Sequence, residues 1–180
     1  MGRSNLGGFR RAYMADKLRG TVSGNENIDT AIEERVIDWD TLYRYNWDIY
    51  TEFHLGISLK PYQRDAIHEI GVSDTFFWRA GRGGAKTFVT ACAAMCKLML
   101  YPNCWIVVTA STVDQANAIV EDKIQRELIN KLSPYLRYCY EKQWIVVTKP
   151  GDGYRIENTL NNSVLRVLAP VESSRRSRSN

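Results

Sequence analysis

The sequence lacks an apolar run long enough to cross a membrane, because no stretch of its 180 residues reaches the roughly 18 consecutive apolar residues of a transmembrane helix. Residues 1–6 also lack the apolar core of a secretory signal and the Ser or Thr of a myristoylation site. We therefore expect no membrane partner. With 44% hydrophobic and 24% charged residues, the composition excludes a wholly disordered chain and suits one compact domain.

Cysteine and histidine are also scarce, with four and two residues respectively. Cys92 and Cys96 share one face of a predicted helix, and no two cysteines form a Cys-x-x-Cys pair. A zinc site needs closer ligands than this, and His54 and His68 are distant in sequence. The pattern therefore predicts buried, reduced thiols rather than a metal site or a disulfide framework.

The basic residues are concentrated at the two ends of the chain. The formal net charge is +4, to which residues 1–20 contribute +4 and residues 171–180 contribute +2, so the intervening segment is slightly acidic. Two interpretations stay open for these ends. They are either arms that touch nucleic acid or a partner, or simply solvated tails.

Three segments differ in pattern: a basic arm over residues 1–28, a helical subdomain over 29–58, and an α/β region over 59–180. In the α/β region, strand–helix–strand–helix followed by strands predicts a sheet with flanking helices and an antiparallel hairpin extension. The run over 104–109 is continuously apolar, which is typical of a strand covered on both faces in a parallel sheet. The pattern predicts helices over 61–70, 88–100, 112–130 and from Ser133, and strands over 75–78, 104–109, 144–148, 154–157 and 163–168.

The segment that says most about chemistry is Trp78-Arg79-Ala80-Gly81-Arg82-Gly83-Gly84-Ala85-Lys86-Thr87, between a predicted strand and a predicted helix. Small residues allow successive backbone N–H groups to face phosphate oxygens, and the N-terminus of the helix adds partial positive charge. Lys86 can then reach the β and γ phosphates of a nucleotide, and the Thr87 hydroxyl can ligate Mg²⁺. The alternative is a glycine-rich turn that precedes a core helix.

This loop departs from the G-x-x-x-x-G-K-[ST] pattern, because Ala80 and Ala85 replace both defining glycines. Gly81, Gly83 and Gly84 supply flexibility between them. Since alanine disfavours positive φ, we expect either a negative φ at Ala85 or a distorted loop. The glycine spacing supports neither a dinucleotide-binding fold nor a protein-kinase glycine loop.

Two further segments flank the loop. Upstream, the Gln63 amide offers the donor and acceptor that adenine N7 and N6 require, and the Tyr62 ring can stack on the base or form a wall beside it. An ordinary surface glutamine is the alternative. Downstream, residues 109–112 place small hydroxyl side chains after a predicted parallel strand, at the sheet edge where ligands bind in α/β folds.

Three features follow one another along the chain: Pro61-Tyr62-Gln63, a phosphate loop with an internal Arg82, and Thr109-Ala110-Ser111-Thr112 followed by Gln115-Ala116. Together they resemble the ATPase half of a phage terminase large subunit. These are the motors that package viral DNA into capsids. The resemblance spans roughly residues 40–180. The last predicted hairpin of the chain and its Ser/Arg-rich end resemble the segment that precedes the family's second acidic motif. It implies an ASCE-like P-loop NTPase fold, truncated before that motif.

The resemblance also implies roles for individual residues, with ATP and Mg²⁺ as cofactors. Gln63 would recognise adenine, Lys86 and Thr87 would hold the triphosphate and Mg²⁺, and Arg79 or Arg82 would touch phosphate. Arg82 either stabilises charge in the transition state or reaches outward to DNA, a neighbouring subunit or an acid. The implied nucleotide-binding set is Tyr62, Gln63, Gly81, Arg82, Gly83, Gly84, Ala85, Lys86 and Thr87, with Lys86, Arg82 and Arg79 as its catalytic members.

The implied partners are double-stranded viral DNA, a portal protein and a small terminase subunit. The full-length motor would form a homo-oligomeric ring in the host cytoplasm, transiently at the procapsid portal, and would also carry an endonuclease. DNA contacts would come from basic residues near the end of the chain, which would make binding salt-sensitive: Arg166, Arg175, Arg176 and Arg178.

One departure from the family limits these expectations. Terminases continue with an apolar strand that ends in Asp-Glu, and no such run follows the loop in this sequence. We therefore expect the amino-terminal portion of a motor, with weak or absent nucleotide binding and hydrolysis near background. A superfamily 2-like helicase or translocase fragment, and a non-catalytic scaffold with a degenerate loop, remain alternatives.

Overall fold

The computed structural model describes residues 41–81 and 83–168, and the part from Tyr43 onward belongs to one compact unit. The predicted basic arm, residues 29–40 of the predicted helical subdomain, Arg82 and the arginines after residue 168 lie outside these residues. Within them, no helix is long and apolar enough to span a membrane.

Helices precede the first described strand and separate it from the second, whereas the last three strands follow one another with no helix between them. Residues 41–45 are helical, and the further elements, in chain order, are α1 (Trp47–Ile49, continued by a π-type turn Tyr50–His54), α2 (Pro61–Val72), α3 (Lys86–Leu100), β1 (Trp105–Val108), α4 (Val113–Ala118, continued by a π-type helix Ile119–Leu132), α5 (Pro134–Glu141), β2 (Ile145–Thr148), β3 (Arg155–Asn158) and β4 (Ser163–Val167). Several boundaries follow from local chemistry. Thr112 Oγ1 accepts a hydrogen bond from the Gln115 N–H at the start of α4, and Ser133 Oγ accepts one from the Leu136 N–H at the start of α5.

The strands form one four-stranded mixed sheet in the order β1-β4-β3-β2. β1 runs parallel to β4, with Trp105 opposite Val164, while β3 is antiparallel to both of its neighbours. The predicted α/β class and its antiparallel hairpin are thereby confirmed. Parallel pairing in the described part of the sheet is confined to β1 and β4, so the sheet is mixed.

Helix α3 lies at the centre of the core. Val89, Cys92, Met95 and Cys96 have no solvent-exposed surface, as the predicted buried helix requires. Burial raises the pKa of the Cys92 thiol, and it raises the pKa of the Cys96 thiol to about 12, so both stay neutral. These two cysteines therefore pack as small apolar side chains, which confirms the prediction that they are buried.

The predicted strand over residues 75–78 is wrong. These residues form an irregular segment between α2 and α3, and Phe77 is 87% exposed. Aromatic and β-branched residues favour strands only where a neighbouring strand accepts their backbone hydrogen bonds and a packed layer covers their side chains. This segment pairs with none of β1 to β4.

The expectation that both faces of residues 104–109 are covered is also wrong. Trp105 is 66% exposed and Val107 is 51% exposed, whereas Val108 is buried on the opposite face. Arg166 of β4 lies opposite Val107 and stacks on the Trp105 ring, with its guanidinium carbon 5.0 Å from the ring centroid. A continuous apolar run does not reveal how many faces of its sheet carry helices.

The hairpin between β3 and β4 is anchored to the end of α3. Asn162 adopts the left-handed conformation, with φ of +58°, which asparagine tolerates in tight turns and which suits the predicted hairpin. Asn161 has a further role that the turn pattern did not indicate. Its side-chain amide donates to the carbonyl oxygens of Leu98 at 2.9 Å and Met99 at 3.2 Å, which caps the last turn of α3.

Candidate functional site

The glycine-rich segment forms a compact turn directly before α3. The Gly84 N–H donates to the Gly81 carbonyl oxygen at 3.3 Å, and Gly83 has a φ of +81°. Ala85 also has a positive φ, of +54°, so the expectation of a negative φ there is wrong. The left-handed region costs an alanine about 1 kcal/mol, so this junction between loop and helix is strained, which is the other outcome that the sequence predicted.

Lys86 folds back over this turn. Its ammonium group donates to the carbonyl oxygen of Gly81 at 3.0 Å and also to that of Ala80. These bonds hold one positive charge against the inner side of the loop, although the residue as a whole stays exposed to solvent. The ammonium therefore lies against two carbonyl oxygens of the loop, and Lys86 itself is the first residue of α3.

A cavity of about 490 Å³ opens beside the loop, within the size range of small-molecule sites. It brings together several residues that the sequence singled out separately, along with others that it did not indicate. The predicted members are Gln63, Gly83, Gly84, Ala85, Lys86 and Thr87, and the additional ones are Ser58, Lys60, Phe88, Lys123, Glu127 and Leu132. Gln63 and the loop thus face one space although they are some twenty residues apart in sequence.

Gln63 is buried, and its side chain is held in one orientation. Its Oε1 accepts a hydrogen bond from the Lys60 N–H at 2.9 Å, at the first turn of α2. A carbonyl oxygen has two lone pairs, so this bond leaves acceptor capacity in the amide plane. The neighbouring Tyr62 is exposed and does not line the cavity, so the structure does not bring its ring to Gln63's side of the site.

Of the predicted arginines, the two that the structure describes do not line this cavity. Arg79 is exposed and is not among the residues that line it, and Arg166 lies on the sheet against Trp105. Arg82 and the arginines after residue 168 are outside the described residues. The described cationic groups at the cavity are instead lysines.

The charge lining the cavity is predominantly positive. Lys60, Lys86 and Lys123 contribute ammonium groups, and Glu127 is the one acid among the described lining residues. Its Oε2 lies 2.6 Å from Lys123 Nζ, within one turn of the second half of α4. Three cations against one paired carboxylate favour a polyanionic ligand.

For magnesium, the donor atoms that line the cavity are few. The Thr87 hydroxyl is a hard oxygen donor of the kind that Mg²⁺ prefers, whereas the Glu127 carboxylate is paired with Lys123. In the described part of the chain, no group of three or more His, Cys, Asp or Glu side chains converges on a metal position. These residues therefore fit Mg²⁺ in the way typical of nucleotide sites, where phosphates and water supply most ligands.

Sequence analysis did not single out Lys123 and Glu127 as site residues. Their i, i+4 spacing was visible, but that spacing is also the ordinary pattern of a solvated helix face. Only the packing of α4 against α3 brings them to the cavity, and helix packing cannot be deduced from the spacing of charges.

The sequence was compared with models of known protein families and with curated proteins, and neither comparison found a match.

Proposed function

We propose that this chain binds ATP with Mg²⁺ in the cavity beside residues 79–87, and that it is the amino-terminal ATPase part of a motor that packages double-stranded viral DNA. The observation that carries the proposal is that Lys86 and Gln63 line the same cavity. One is suited to a polyphosphate and the other to an adenine edge, and ATP carries both groups.

Phosphate binding would exchange one set of partners of Lys86 for another. Its ammonium donates to loop carbonyls, which are neutral acceptors. Phosphate oxygens are charged acceptors and form stronger hydrogen bonds, so the ammonium would turn to them while the loop amides and the N-terminus of α3 supply further donors. Mg²⁺, held by the Thr87 hydroxyl and the phosphates, would neutralise part of the remaining charge.

Base recognition would depend on the fixed amide of Gln63. Because Lys60 N–H orients Oε1, the amide cannot flip without losing that bond. The second lone pair of Oε1 and the Nε2 protons match adenine N6 and N7, while guanine presents an acceptor at O6 instead of the N6 donor. The site should therefore prefer ATP to GTP.

Coupling to DNA belongs to the proposal through the resemblance to terminase large subunits. The parent motor would use Arg82 or Arg79 on the γ-phosphate and would act with a portal protein and a small terminase subunit. No apolar run ending in Asp-Glu follows the loop in this sequence, so we expect this chain to bind nucleotide weakly and to hydrolyse it near background.

An equilibrium titration tests the binding step. Three isotope-labelled proteins would be compared: the native chain, Lys86→Ala and Gln63→Ala. Each would be titrated with Mg-ATP into the millimolar range, and changes in NMR chemical shifts would report binding. We expect saturable shifts around residues 80–90 that Lys86→Ala abolishes, and a loss of the preference for ATP over GTP in Gln63→Ala. Circular dichroism of each variant checks that the fold is intact.

Two results would refute the proposal. One is a folded native chain whose signals do not move with millimolar Mg-ATP, which would favour a scaffold. The other is a Lys86→Ala chain that binds as the native one does. In the full-length motor, Lys86→Ala should abolish DNA packaging, and unchanged packaging would contradict the motor assignment.

A further inference from the structure

An ion pair on α4 lines the cavity that the loop also lines. Lys123 Nζ and Glu127 Oε2 are 2.6 Å apart, and their side chains are 35% and 33% exposed. Both residues line the same cavity as Gly83 and Lys86. The pair is therefore shielded on one side by protein and open on the other to whatever occupies that cavity.

A second pair on the same helix provides a comparison. Arg126 Nη1 and Asp122 Oδ1 are 2.9 Å apart, with the same i, i+4 separation. Their side chains are 64% and 52% exposed, and neither residue lines the cavity. Arg126 also pairs with Glu121 at 2.8 Å, so this second cluster shares the helical spacing of the first pair and lies outside the cavity lining.

We propose that Lys123 is a further phosphate ligand of the nucleotide site and that Glu127 positions it. This inference rests on the proposed function, because it assigns a new residue to the same polyanion site. An ammonium group has three protons, so Lys123 can donate to Glu127 and to a phosphate oxygen at once. Glu127 holds the long lysine side chain at the cavity wall, and its negative charge also opposes an incoming phosphate.

Because of these two effects, we expect substitutions of Lys123 and of Glu127 to change anion affinity in opposite directions. Lys123→Gln removes a cation from the site and leaves Glu127 without its partner, so anion binding weakens. Glu127→Gln keeps a side chain of the same size and removes the opposing charge, so anion binding strengthens. A pair that only stabilises the helix would leave binding unchanged in both variants.

The probes are inorganic triphosphate and ATP, each with Mg²⁺, titrated into the full chain at one fixed ionic strength. We expect Lys123→Gln to weaken triphosphate binding about fivefold, Glu127→Gln to tighten it about twofold, and Lys123→Arg to retain the native affinity, since partly exposed charges have modest effects. Arg126→Gln and Asp122→Asn make the same changes in net charge away from the cavity, and we expect both to bind as the native chain does.

The outcomes separate this inference from the proposed function. If Lys86→Ala loses triphosphate binding while Lys123→Gln keeps it, or if Arg126→Gln weakens binding as much as Lys123→Gln does, the assignment of Lys123 fails alone. If the native chain binds neither probe, both the assignment and the proposed function fail. Thermal unfolding of each variant shows whether a loss of binding reflects a loss of fold, in which case Lys123→Arg decides.

Discussion

The Lys86 ammonium nitrogen lies 3.0 Å from the carbonyl oxygen of Gly81, five residues earlier in the chain. The loop thus closes onto its own lysine although the segment before it, residues 75–78, forms no strand. The turn and its lysine contacts form here without a strand directly before the loop. Loop and strand are therefore separable features of this chain.

The positive φ at Ala85 gives a prediction about stability. Ala85→Gly removes the left-handed strain but adds backbone freedom to the unfolded chain, so the free energy of unfolding should stay the same or rise by up to about 1 kcal/mol. Ala94→Gly, inside α3, is the matched control and should lower it by about 1 kcal/mol. Urea unfolding measures both, and equal losses in the two variants would contradict the strained geometry at Ala85.

Histidine 54 gives a prediction about pH. Its ring packs against Tyr50 and Tyr135, with centroids 5.0 and 4.2 Å away, and desolvation lowers the pKa of His54 below its usual 6.5. The unfolded chain therefore binds a proton at a pH where the folded protein does not. The free energy of unfolding should fall as the pH drops below about 6.5.

The matching variant is His54→Gln, which cannot titrate in this range. Denaturant unfolding at pH 7.5 and pH 5.0 should show a smaller loss of stability in His54→Gln than in the native chain. The difference between the two losses of unfolding free energy isolates the contribution of this imidazole from that of the other titrating groups. Equal losses in the two proteins would show that His54 has the same proton affinity in the folded and the unfolded chain.

The Asn161 amide gives a prediction about the end of α3. Asn161→Ala would leave the Leu98 and Met99 carbonyl oxygens without this donor, so we expect the free energy of unfolding to fall by about 1–2 kcal/mol. Asn162→Gly keeps the left-handed turn and loses only an exposed bond to Asn103, so its effect should stay within about 0.5 kcal/mol. A larger loss in Asn162→Gly than in Asn161→Ala would contradict the capping role.

The pair Glu52 and Arg64 joins the turn of α1 to α2. Arg64 Nη2 lies 2.5 Å from Glu52 Oε1, and nearly half of the arginine side chain is exposed. A double-mutant cycle with Glu52→Gln and Arg64→Gln should give a coupling of about 0.5–1 kcal/mol that weakens as salt is added. A coupling that did not change with salt would indicate a contact other than an ion pair.

The sequence by itself determined most of the local structure after residue 60. The helix capped by Thr112, the helix begun by Pro134, the buried face of α3 and the hairpin at Asn162 were all predictable, because each depends on residues adjacent in sequence or one helical turn apart. The lysine of the loop was predictable for the same reason.

Tertiary structure alone decided what surrounds those elements. Residues 75–78 have strand-forming side chains, yet pairing depends on a neighbour that their own pattern does not encode. Trp105 is exposed although it belongs to a continuous apolar run, and Lys123 lines the cavity beside the loop because α4 packs on α3. Contacts between distant segments follow from packing of the whole core, so local periodicity determined the elements and the core determined the site.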